Sequence, residues 1–308
     1  MNGYLPEGRL LDTAANRAWL RSAESIEAAM QKGVILEARA SWCDCDHNLC
    51  VDMGCMKGLI PRAEGAVGIR EGTVRDIAIL SRVGHPVCFT VTGYTDIGGE
   101  RRAELSRAEA QRMCLEDHIE GLTTGDIIPA RITHLEPFGA FCDIGCGIVA
   151  LMPIDSVSVS RIEHPDERFN VGDDICAVIK SKVGSRITLS HKEVLGTWQE
   201  NADRFSAGET VTGIVRSVEN YGAFVELAPN LAGLAEPRDD LRTGQLVSVY
   251  IKSIIPQKMK IKLIVIDILD DRAVAEPAEY FMTCGHIDRF EYSPPGCEKR
   301  IFSDFTDN

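Results

Sequence analysis

Short runs of alternating apolar and polar residues, opened by glycines, fill the chain from residue 125 to about residue 269. "GDIIPARITHLEPFGAFCDIGCGIVALMPID" (125–155) aligns with "GETVTGIVRSVENYGAFVELAPNLAGLAEP" (208–237), and both carry an aromatic-Gly-Ala-Phe motif. Each is followed by a loop and a second glycine-opened stretch, "GDDICAVIKSKVGSRITLS" and "GQLVSVYIKSIIPQKMKIKL". Period-2 alternation in such short runs predicts strands. Five strands per module, with no long helix inside, predict small β-barrels repeated about 83 residues apart, read from Phe141 to Phe224. A weaker copy lies upstream in "KGVILEARASWCDCDHNLCVDMGCMKGLIPRAE" (32–64) and "GHPVCFTVTGYTDIGGERRAELS". In that copy His47 and Cys50 stand where the next has Phe138 and Phe141.

Between modules the period becomes helical. "SRAEAQRMCLEDHIEGL" (106–122) sets Ala110, Met113, Cys114 and Ile119 on one face behind Ser106 as N-cap. "HKEVLGTWQENADRF" (191–205) does the same with Val194, Leu195, Trp198, Ala202 and Phe205, and a further helix is expected over Thr13 to Gln31. Trp19 and Trp198 read as packing residues against a barrel. The fold class expected is mainly β, with three tandem five-stranded barrels joined by α-helical linkers. The domains follow: a helical segment 1–31, a degenerate repeat 32–111, a linker 112–122, a second repeat 123–192, a linker 193–206, a third repeat 207–269 and an acidic tail 270–308.

The 308 residues suffice for two or three domains, and 44% hydrophobic with 26% charged residues is a globular composition. "MNGYLPEGRLL" lacks the apolar core of a secretory leader, and "IKLIVIDIL" is short and interrupted by Lys262 and Asp267. Eleven cysteines without an export signal fit reduced thiols in a cytoplasm. The net charge of −13 argues against a nucleic-acid partner only until it is divided along the chain. Residues 207–268 hold seven basic and seven acidic side chains, whereas residues 269–308 hold four against nine.

Alternation assigns faces. Ala140, Cys142 and Ile144 form one set and Ala223, Val225 and Leu227 its counterpart, so both should fill a barrel. Phe141 with Asp143, and Phe224 with Glu226, should then face solvent. Phe138 and Tyr221, just before the glycine, should be aimed at the same surface by a turn or bulge. "KMKIKL" places Lys258, Lys260 and Lys262 opposite Met259, Ile261 and Leu263, and "SRITLS" places Arg186, Thr188 and Ser190 opposite Ile187 and Leu189. Exposed rings beside a cationic strand suit a flexible single strand, because bases stack on rings while cations meet phosphates.

These residues resemble the S-one RNA-binding repeat: the glycine-opened strand, the aromatic-Gly-Ala-Phe motif, the exits "GLIPRAE" and "GIVALMPID", and the closing "RITLS". The whole is similar to short forms of the bacterial ribosomal protein S-one family over about residues 32–269. The resemblance implies OB-type barrels that bind single-stranded RNA, with Phe138, Phe141 and Arg186, then Tyr221, Phe224 and Lys260, as contacts. Lys182 joins the basic set, at a place where the family often carries an acidic residue four before the closing arginine; Pro256 stands there in the last repeat. Pro153 and Glu236 stand where the family often has a histidine.

Other chemistry is weaker. Cys43, Cys45, His47, Cys50 and Cys55 are zinc-competent, but their spacing is not that of a paired Cys-x-x-Cys knuckle. A strand–turn–strand with "DHN" as its turn and no bound metal is expected. No phosphate loop, dinucleotide fingerprint or His-Glu-x-x-His helix is present in the sequence. His134, His164, His191 and His286 have no nearby partner pattern. The tail carries Phe281, Phe290, Tyr292, Phe302 and Phe305, so either a docked segment or a loose acidic tail is open. The expectation is a non-enzymatic, cofactor-free, monomeric cytoplasmic protein that holds messenger RNA single strands in translation, with the small ribosomal subunit as a further partner and no membrane. The alternative is a protein-docking module or a regulator of RNA metabolism.

Overall fold

The computed structural model describes residues 4–184, 186–273 and 278–306. The chain divides into two compact units, Met1–Leu122 with Asp143–Val149, and Thr123–Cys142 with Ala150–Asn308. In the first, β1 (Leu36–Cys43), β2 (Leu49–Asp52), β3 (Lys57–Ile60), β4 (Pro86–Ile97) and β5 (Glu100–Ser106) close into a barrel in the order β1-β2-β3-β5-β4. Leu36, Leu49, Ile60, Phe89 and Leu105 fill it, and Ile26 and Ala29 of a preceding helix cover one end.

The single amino-terminal helix expected over Thr13 to Gln31 is two helices, α1 (Ala14–Trp19) and α2 (Ala23–Gln31). Ser22 starts the second by a reciprocal cap with Ser25, which the continuous apolar spacing hides. Within the β3–β4 connection lies α3 (Ile77–Leu80), and α4 (Arg107–Cys114) follows the barrel. Ser106 caps α4 as expected, its Oγ accepting from Glu109 N at 2.9 Å, and Ala110, Cys114 and Ile119 are buried.

The second unit holds two barrels of the same order. One comprises β6 (Asp126–Glu136), β7 (Gly139–Asp143), β8 (Val149–Pro153), β9 (Asp174–Val183) and β10 (Arg186–Ser190), closed by pairing of β6 with β9. The other comprises β11 (Thr210–Glu219), β12 (Gly222–Ala228), β13 (Leu231–Ala235), β14 (Leu246–Ile255) and β15 (Lys260–Asp270). Between them the helix expected over 191–205 shortens to α5 (Trp198–Ala202). Gly196 at φ +81° ends the preceding turn, and Thr197 caps the new start with Glu200. The apolar face is as expected, since Val194, Leu195, Trp198 and Ala202 are all buried.

The acidic carboxyl-terminal segment is a docked element. β16 (Gly285–His286) pairs antiparallel with β6, and β17 (Arg289–Glu291) pairs with β18 (Phe302–Asp304). Ile287, Phe290, Tyr292 and Phe305 join the same core as Val225, Ile261 and Trp198. Tyr292 OH donates to Asn230 O at 2.5 Å, and Trp198 N donates to Tyr292 O at 3.0 Å. Burying a large apolar side chain is worth about 1.5–3 kcal/mol, so four of them hold the segment while its described carboxylates stay exposed.

His286 latches β16. Its Nδ1 lies 2.7 Å from Asp126 Oδ1 and its Nε2 lies 3.3 Å from Asp288 Oδ1. The hydrogen bond to Asp126 raises the imidazole above its usual range, and the charges of Asp126 and Asp288 add to the effect. A raised folded value means that the latch is complete below the ordinary histidine range near 6.5 and is lost as pH rises through the raised value. Amide exchange at Gly285–Ile287 should therefore speed up beyond the intrinsic rate increase as pH rises above about 6.5, and His286→Gln should abolish that excess.

Candidate nucleic-acid interface

The aromatic-Gly-Ala-Phe motif owes its shape to its glycine. Gly139 (φ +158°) and Gly222 (φ +148°) start β7 and β12, and a Cβ on either would meet Met152 O or Ala235 O at 2.3 Å. This close approach puts the ring before the glycine and the ring two after it on one surface. Phe138 and Phe141 meet edge to face with centroids 6.0 Å apart at 89°, and Tyr221 and Phe224 repeat the geometry at 6.3 Å and 89°. Phe138 is 56% and Tyr221 64% exposed, while Phe141 and Phe224 are half-buried at their bases. Ala140, Cys142, Ala223 and Val225 point into the barrels, as their alternation requires.

Strand register brings the basic residues to these rings. In the third barrel Phe224 pairs with Leu234, Leu234 with Lys262, and Lys262 with Ser253, one lateral row across four strands. Lys260 and Lys262 are exposed, with Ile261 and Leu263 buried between and beyond them. Lys258 departs from the expected pattern: it ends a 3-10 turn, Pro256–Lys258, and Met259 at φ +46° separates it from β15. The side chain stays exposed, but it belongs to a turn and not to the alternating strand face.

In the second barrel Arg186 pairs with Val183 and is exposed, and Thr188 pairs with Leu151, as Lys262 does with Leu234. Lys182 pairs with the buried Ile187, so the pleat sets it on that residue's side of the ladder and not beside Arg186. Ser190, expected outside, is fully buried, with its hydroxyl donating to Ser156 O at 3.4 Å.

Both carboxylates expected in solvent beside the phenylalanines are buried. Asp143 accepts from the backbone N–H groups of Glu7 (2.7 Å), Gly145 (2.8 Å) and Gly147 (3.0 Å). Burial, reinforced by the charge of Glu7, pushes its carboxyl up to about 7. Glu226 accepts from Arg168 Nη1 at 2.6 Å and from Arg216 Nε and Nη2 at 3.0 and 3.1 Å, and Arg216 also pairs with Glu167. Each carboxylate does lie on the outer face of its barrel. In the third barrel Arg168, from the connection between β8 and β9, covers that face one step beyond Phe224, so the open surface ends there.

The first barrel keeps the frame and changes the chemistry. Its matching row is Trp42, Cys50, Leu59, Glu104 and Gly93, so Cys50 stands at the phenylalanine position and Glu104 at that of Lys262. His47 is held by Asp76 at 3.1 Å, and Asp76 also takes Arg62 Nε at 2.8 Å. Of the cysteine cluster, Cys50 is buried while Cys45 and Cys55 are exposed, and no group of three or more metal-ligating side chains occurs among the described residues.

His134, which the sequence shows only as a histidine without a partner pattern, adjoins the ring pair. It stacks on Phe141 with centroids 6.2 Å apart at 27°, and its Nε2 lies 2.8 Å from Glu136 Oε1. The strand that carries it, β6, precedes the motif, and its alternation marks only an exposed polar position.

Closed five-stranded barrels in tandem, each of the same strand order, define a protein of the tandem OB-fold class. Residues 122–192 match the family described as the S1 RNA binding domain. Over 172 residues it is 33% identical to small ribosomal subunit protein bS1 of Staphylococcus aureus, covering 51% of this chain and 44% of that protein. The corresponding protein of Staphylococcus epidermidis is 34% identical over 159 residues, covering 47% of this chain and 40% of its own length. The matched stretch thus spans less than half of these relatives. A solved multidomain protein with nucleic acid binding domains from Streptococcus pneumoniae overlaps 76% of this chain and 74% of its own, at 15% identity and a TM-score of 0.25.

Proposed function

We propose that the chain binds single-stranded RNA, messenger RNA foremost, across the outer faces of its second and third barrels, and that it acts in translation alongside the small ribosomal subunit. The observation that carries this reading is the duplicated edge-to-face ring pair, Phe138 with Phe141 and Tyr221 with Phe224. In the third barrel, cations on the closing strand flank the pair. Rings held open to water by a glycine cost burial that a barrel core would recover, and unpaired bases are the ligand that returns it. Arg186, Lys260, Lys262 and the turn residue Lys258 supply phosphate contacts, with Lys182 at the margin. The role is binding without catalysis, in a cytoplasmic and monomeric protein. The family match to an RNA binding domain supports the same reading.

Fluorescence anisotropy of a labelled oligouridylate against the whole chain, at several salt concentrations, tests it. The logarithm of the affinity should fall with the logarithm of salt by about 0.7 per phosphate contact. Salt-independent binding, or none, would leave the barrels as protein-docking surfaces. The first barrel, with Cys50 and Glu104 in its row, is read as a structural or protein-contacting module. Trp42→Ala should accordingly leave the affinity within twofold of wild type, whereas Phe141→Ala should lower it roughly fivefold or more.

A further inference from the structure

The second and third barrels share one frame but differ at both ends of the row through the phenylalanine. At the end supplied by the first strand, the third barrel places Ser217 opposite Phe224. The second barrel has His134 at the matching position, with its imidazole stacked on Phe141. The His134 side chain is 63% exposed, so the outer face of its ring is open to a further planar group. At the other end the third barrel has Lys262 against Leu234, and the second has Thr188 against Leu151. One barrel therefore carries three adjoining rings and a single closing-strand cation, Arg186. Its neighbour carries two rings and two closing-strand cations, Lys260 and Lys262.

We infer that the two barrels hold the same strand by different means: the second grips one more base through a three-ring platform completed by His134, and the third grips more phosphate through Lys262. The inference rests on the proposed single-strand binding. The two forces differ in range and in salt response. Stacking involves no ion release, whereas each lysine–phosphate contact releases condensed cations and so steepens the salt dependence. Glu136 bonds the edge of the imidazole and leaves its faces free, which orients the ring without covering it. Serine at position 217 leaves the same place on the third barrel without a ring.

The test uses the whole chain, the labelled oligouridylate and a salt series. His134→Ser, which installs the residue of the third barrel, should weaken binding roughly fivefold with an unchanged salt slope. His134→Phe should restore the affinity, because it keeps the ring and discards the bond to Glu136. Lys262→Thr should instead make the slope shallower by about 0.7. Phe141→Ala separates the two levels of the argument. If Phe141→Ala binds normally, the RNA face itself is misplaced. If Phe141→Ala weakens binding while His134→Ser does not, the three-ring platform is wrong and the wider reading stands. A loss in His134→Phe as large as in His134→Ser would assign the effect to the imidazole–Glu136 bond and overturn stacking. Equal salt slopes in Lys262→Thr and wild type would overturn the division between the barrels.

Discussion

Alanine at both Tyr221 and Phe224 should weaken binding of an unstructured oligoribonucleotide roughly tenfold or more, because stacking contributes about 1–3 kcal/mol per base by such replacement. The loss should appear at every salt concentration, with the slope nearly unchanged. Tyr221 is 64% exposed and Phe224 half-buried, so the double variant should unfold only slightly earlier than wild type. Val225→Ala, at a fully buried position between them and the core, should do the opposite, lowering the melting temperature with little effect on affinity in the folded protein. Anisotropy and thermal melts on the same samples decide. Normal RNA binding with a much earlier melt in the double variant would return both rings to the core.

Glu226→Ala should be the most destabilising single change in the second unit, by about 3–5 kcal/mol. It removes the carboxylate that accepts from both Arg168 and Arg216, whose side chains are 8% and 7% exposed. Two guanidinium groups would then lie buried with less compensating charge, and Glu167 can offset only Arg216. Arg168 belongs to the connection between β8 and β9, and Glu226 to β12, so the network joins the two barrels of this unit. Guanidinium chloride unfolding, followed by tryptophan fluorescence in a Trp19→Phe, Trp42→Phe background that leaves Trp198 as the reporter, measures the loss. Glu226→Gln should recover only part of it, since an amide keeps one acceptor oxygen, turns a donor toward the guanidinium groups in place of the other, and cannot neutralise the arginines. A variant within about 1 kcal/mol of wild type would show that water or relaxation satisfies the arginines.

Most of the architecture was legible in the chain because it depends on local periods. Alternation in "GAFVEL" and "KMKIKL" assigns Val225, Ile261 and Leu263 to the core and Phe224, Lys260 and Lys262 to the other side, and all six lie there. The motif glycine, the strand count and the repeat are likewise properties of neighbouring residues, and they suffice for tandem five-stranded barrels. The ring pair follows too, since the motif glycine turns the residue before it onto the face of the residue two after it.

What the chain could not disclose is what covers a face once it is formed. Alternation puts Asp143 and Glu226 outside their barrels correctly, yet residues distant in sequence (Glu7 for one, Arg168 for the other) bury them. Lys258 left the strand through a left-handed turn at Met259, and the helix before Trp198 gave way at Gly196, both settled by how the ends are packed and capped. The contact of His134 with Phe141 depends on the lateral match between β6 and β7, which no spacing along either strand records. The carboxyl-terminal segment has the charge of a free tail, and Phe290, Tyr292 and Phe305 dock only because the third barrel and α5 offer them an apolar surface. Local sequence determined which side each residue takes, because pleat and pitch are set by bonded neighbours. Tertiary structure alone decided which of those sides water reaches, because burial depends on segments that meet only after the chain has folded.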